Sequence, residues 1–157
     1  MASIRSRIGE NMEDRYLFKA KRIDNGEWVI GNLITNVFFR LGQSIPYILC
    51  PDKAEYDCFE DFTEENGIFE VRPDTICQCT GLRDKNGKLI YEGDIVKCLY
   101  DSYGENGVYI GKVIYREDTC CFVDANSEST DYEWWEEEKE VIGNIFNNPE
   151  LLESEEK

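Results

Sequence analysis

Seven cysteines and a complete lack of histidine bound the chemistry open to this chain. Cys77 and Cys79 stand one residue apart, so on a strand both thiols face one side, whereas Cys120 and Cys121 are adjacent. Neither spacing is the C-x₂-C of a zinc ribbon. Without histidine there is no Ser-His-Asp or Cys-His relay. The stretch Gly104–Lys112, GENGVYIGK, has glycines seven apart and Val113 after the lysine, so it fails as a phosphate loop. The DKNG at 84–87 lacks the length and terminal glutamate of a calcium loop. Carboxylates are plentiful, and a hydrolytic pair assembled from distant segments is one reading. Asp94, after Gly93, is read instead as a local cap on backbone N–H groups. No catalytic residue, metal site or cofactor is expected.

The elements that would position such residues are mainly strands. Asn-Gly recurs at 25–26, 66–67, 86–87 and 106–107. Both residues accept positive φ, which a tight hairpin turn requires. The first, third and fourth lie between β-like runs, the fourth in a wider loop. The second closes PDKAEYDCFEDFTEENG, which reads as a short helix over 52–66. Further strands are expected over 119–125 and 140–146. Asn148 and Pro149 then suit the start of a terminal helix, before an acidic tail. Gly31-Asn32-Leu33, Gly93-Asp94-Ile95 and Gly143-Asn144-Ile145 echo one another at unequal spacing, which points to bulges or bends rather than a solenoid. The expected core is Trp28, Ile30, Leu33, Ile76, Leu82, Ile90, Ile95, Val96, Val113, Phe122, Val141, Ile142 and Ile145.

At 157 residues with 41% apolar side chains the chain can bury a core. Its net charge of −16 repels phosphate backbones and anionic membranes, so neither direct nucleic-acid nor membrane binding is expected. An odd cysteine count excludes a complete intrachain disulfide set. With no signal-peptide pattern after Met1, a cytoplasmic setting is expected. Residues 1–11 read as an extension, 12–82 as an N-terminal β region with a short helix, 83–148 as a small barrel, and 149–157 as a short helix and tail.

One combination of residues is distinctive: Thr80-Gly81-Leu82, Asp84, Asn86-Gly87, Tyr91-Glu92-Gly93-Asp94 and Gly143-Asn144. With the opening YLFKAKRIDNGEWVIGNLI and the central VRPDTICQCTGL, it resembles the YopX family of phage and prophage proteins over roughly residues 12–152. The resemblance implies a mostly-β fold with an SH3-like barrel towards the C-terminus, and it carries over no catalytic residues. The expectation is therefore a non-enzymatic phage accessory protein that acts by protein binding or self-assembly. Its partner would be a second copy, or a host or phage protein. Phe38, Phe39, Trp134 and Trp135 are the candidate interface residues, because adjacent aromatics on a strand cannot both face one core. An anti-defence role (acidic nucleic-acid mimicry, or capture of a nucleotide signal by Arg72, Arg83 or Lys112) and a carboxylate hydrolase are the alternatives.

Overall fold

The computed structural model describes residues 14–50, 67–102, 105–124 and 138–153, apart from the side chains of 37–40, 100–102, 105–106 and 124. The described residues are mostly strand, as expected. The chain divides into two compact units, residues 1–79 and 80–157.

In the first unit a 3-10 turn at Asp14–Tyr16 leads into β1 (Leu17–Lys21), β2 (Trp28–Arg40), β3 (Gln43–Leu49) and β4 (Ile68–Glu70). These pair antiparallel in the order β4-β3-β2-β1, and the start of β5 (Cys77–Arg83) pairs with β1. Asn25-Gly26 turns the β1–β2 hairpin. Gly26 has φ +74°, and Arg22 accepts its N–H at 3.1 Å. Alternation along the strands sends Ala20, Val29, Ile48, Cys50, Phe69 and Val71 into one cluster, with Phe18, Leu33 and Ile76 against it. Ile30, expected in the core, is instead 49% exposed. Val29 takes the inward position, and the period-2 pleat puts its neighbour outside.

In the second unit β5 ends in a turn at Asn86-Gly87 that leads to β6 (Leu89–Tyr91). Then follow β7 (Asp94–Ser102), β8 (Glu105–Arg116), β9 (Cys121–Asp124), β10 (Glu138–Asn144) and α1 (Glu150–Glu153). The sheet order is β10-β7-β8-β9. Ile90, Val96, Cys98 and Val113 form its core, supported by Leu82, Tyr109, Phe122 and Val141. The β5–β6 turn closes on β10, where Lys85 donates its backbone N–H to the Lys139 carbonyl at 2.8 Å. The result is a half-barrel. Asn106-Gly107 is not a turn: β7 and β8 stay paired out to Ser102 opposite Glu105, so the ladder absorbs the dipeptide. The helix expected over 52–66 lies outside the described residues.

Candidate interaction surface

The residues singled out as a signature are built into backbone geometry. Asp84 is buried, and its two carboxylate oxygens accept three backbone N–H groups. Oδ1 takes those of Asn86 at 2.8 Å and Lys88 at 2.9 Å, and Oδ2 takes that of Val141 at 3.1 Å. Burial works against its ionisation. The N–H groups of Val141, Lys88 and Asn86, with the Lys88 charge, more than offset that and hold the carboxyl below its ordinary value. Asp94 is 2% exposed, and its Oδ2 accepts the Tyr91 N–H at 2.9 Å. Gly93 turns β6 into β7 with φ +76°, donating to the Val113 carbonyl and accepting from the Ile145 N–H. In the β7–β10 ladder Asp94 lies opposite Asn144 and Ile95 opposite Gly143, so the two glycine motifs meet in space. Asn144 Oδ1 accepts the N–H groups of Phe146 and Asn147, both at 3.0 Å. A Cβ on Gly143 would meet Asn148 and Leu151, the latter in α1, at 2.8 and 2.9 Å. Gly81, inside β5, has φ +81°. Beside it the Thr80 hydroxyl donates to the Ile90 carbonyl at 2.8 Å. Gly87, at the β5–β6 turn, also has φ +81°. These residues fix the turns and strand junctions of the half-barrel.

The basic residues considered for anion capture are partly engaged. Arg72 forms a two-pronged pair with Asp74, and Arg83 donates to the Gly87 carbonyl at 2.9 Å. The first belongs to a pattern that sequence reading missed: Arg-x-Asp at 22–24, 72–74 and 116–118. In each, guanidinium Nε and Nη2 grip the two carboxylate oxygens of the residue two ahead. The hydrogen bond from the arginine lowers the carboxyl of Asp24, Asp74 and Asp118. The signal was present as a repeated tripeptide at strand ends.

Among the described residues several large apolar side chains are exposed, Leu41, Leu99 and Val108 among them. The β2–β3 hairpin loses its regular register between Ile34 and Phe38, opposite only Tyr47 to Ile45, which leaves two extra residues on β2. Asn36 sits there with φ +60°, its N–H held by Ser44 Oγ at 2.8 Å. Beyond the bulge Phe38 is opposite Ile45, Phe39 opposite Ser44, and Arg40 opposite Gln43. The turn itself is Leu41-Gly42, with φ +52° and +80°. Leu41 is 99% exposed, in a backbone conformation that suits Asn, Asp or Gly. A second opening lies in the barrel unit, where Leu99 and Val108 are cross-strand partners, 43% and 52% exposed. Beside them Lys85, Lys97, Glu138 and Glu140 line a shallow depression, and Lys85 Nζ pairs with Glu140 Oε2 at 2.6 Å. The Glu140 carboxylate, first through this hydrogen bond, raises Lys85 above its ordinary value. Of the expected interface residues, the side chains of Phe38 and Phe39 and all of Trp134 and Trp135 lie outside the described residues.

Comparison with solved structures finds similarity to the protein EF1440 from Enterococcus faecalis, known from its crystal structure. Identity is 24% over 86% of this chain and 96% of that one, with a TM-score of 0.44. Comparison with curated proteins finds no match. The family model described as YopX protein matches residues 17–153, a span that takes in every strand described above, and the chain therefore belongs to the YopX family.

Proposed function

We propose that this YopX-family chain is a phage or prophage accessory protein that acts by protein contact without catalysis, and that its first partner is a second copy of itself. The observation that carries the reading is Leu41. A leucine in the left-handed region costs roughly 1–2 kcal/mol, and exposing it fully gains nothing within the monomer. Such a residue fits a contact in which the side chain is buried by a partner. A second copy is favoured because one chain carries both the projecting leucine and an outer sheet face, Leu99 with Val108, able to receive an apolar side chain. The mixed lysines and glutamates beside that face fit a partner of the same composition.

Light scattering at about 0.15 M salt, where the screening length is roughly 8 Å, tests this. The expected mass is that of a dimer or larger. Leu41→Asn should return the monomer mass while keeping or raising the melting temperature, since Asn accepts the backbone conformation. A monomer mass for the parent across micromolar concentrations would reject self-association. An oligomer unmoved by both Leu41→Asn and Leu99→Glu would place the contact elsewhere.

A further inference from the structure

Four of the cysteines, Cys50, Cys77, Cys79 and Cys98, are buried; among the described residues Cys120 is exposed and Cys121 half-buried. The latter two lie at the β8–β9 corner, where Arg116 opposite Cys121 is the last rung. Residues 117–120 make the turn, and Cys120 has φ +53°. In a regular strand adjacent side chains diverge to opposite faces. The left-handed residue breaks that alternation. Cys120 Sγ lies 3.5 Å from the Glu117 carbonyl oxygen, and Cys121 Sγ lies 3.0 Å from Thr119 Oγ1. The Cys120 thiol also hydrogen-bonds the Tyr115 hydroxyl, and Cys121 acts on it through charge. Cys120 acts on that phenol first by charge, then burial adds, then a hydrogen bond to Cys120 and the charge of Cys121, and together they push it above its ordinary value.

Two outcomes compete for a pair of adjacent thiols. A disulfide normally needs Cα atoms about 4.4–6.8 Å apart, whereas neighbours across a trans peptide are held at about 3.8 Å, so direct S–S closure is strained. An atom inserted between the sulfurs, with metal–sulfur bonds near 2.3 Å in the case of zinc, spans a wider gap and removes that mismatch. Zinc itself calls for four ligands, and among the described residues no third His, Cys, Asp or Glu groups with this pair. We infer that Cys120 and Cys121 form a two-thiolate site for a thiophilic centre satisfied by two sulfurs, a trivalent arsenical or a soft monovalent cation. With an arsine oxide the step balances without oxidation. Two As–S bonds form, two S–H bonds break, and the oxide oxygen leaves as water carrying both thiol protons. With a monovalent cation, two S–M bonds replace two S–H bonds and both protons go to solvent.

The test uses the reduced full-length protein, phenylarsine oxide and silver(I) as separate probes, and intact-mass spectrometry in millimolar monothiol. The expected arsenical adduct is the probe mass less one water, stable to monothiol and removed by a small dithiol. Silver should give one tightly held ion per chain. Removing one thiol should weaken binding about a hundredfold, the order of gain expected when two linked ligands act together. Cys120→Gly and Cys121→Ser are the variants, and the glycine suits the left-handed backbone, so its fold is protected. Circular dichroism checks both. An adduct of unchanged stability in the folded variants would overturn the assignment, as would failure of the parent to hold either probe against monothiol. Binding of one probe alone would assign the site to that centre.

Discussion

Asp84 shows how one side chain links distant parts of the barrel unit. Its carboxylate joins the 84–88 turn to Val141, 57 residues away. Asp84→Asn keeps the shape but exchanges one acceptor oxygen for a donor facing an N–H group. That should cost about 1–3 kcal/mol at neutral pH, read by urea denaturation. The pH dependence has a definite sign. The folded carboxyl is held below its unfolded value of about 3.9, so its contribution is complete above that value and is lost as pH falls towards the folded one. The parent should therefore lose stability on acidification more steeply than Asp84→Asn, with the two curves converging in acid. Parallel curves would remove the carboxylate from the account. Nothing local in DKNG revealed this link, because its third hydrogen bond depends on how β10 returns.

Among the elements, β2 is the most constrained by its neighbour. A Cβ on Gly31 would lie 1.9 Å from the Leu49 carbonyl oxygen, a backbone atom that cannot swing aside. Gly31→Ala should therefore part β2 from β3 and destabilise by more than about 3 kcal/mol, beyond the usual range for a point change. At Gly87 a Cβ meets open space, and Gly87→Ala should cost only the left-handed penalty of about 1–2 kcal/mol. Thermal melts of the two variants check the order, and equal losses would refute the close approach. The turns at 25–26 and 86–87 were legible because Asn-Gly states its own backbone requirement. At 106–107 the same dipeptide misled, because cross-strand pairing outweighed local preference. Ile30 was misplaced because WVIG does not reveal the phase of its alternation. The vicinal cysteines were visible in the sequence, but their exposure was not. Leu41 stands in the apolar run NVFFRLGQSIPYIL, but its place at a hairpin tip was not legible, since an apolar residue there runs against turn chemistry.

For the whole molecule, charge opposes compactness. At −16 the chain repels itself, and added salt should raise the melting temperature and favour association up to physiological strength. Calorimetry between about 0.01 and 0.15 M salt, where the screening length shortens from roughly 30 to 8 Å, reads the first effect. A flat or falling melting temperature would show that the net charge is not the governing force. The Asp84 carboxylate gives this balance a further consequence. β10 is an outer strand of its sheet, and the Val141 N–H on its free side is occupied by that carboxylate. In acid the carboxylate takes up its own proton and ceases to be a strong acceptor, while the other acids surrender the charge that keeps chains apart. Acidification should thus cancel the repulsion first, near the isoelectric point of about 4.3, and loosen the strand edge only at lower pH. There the 17 basic residues repel again, so that the risk of cross-β aggregation is confined to the narrow range between.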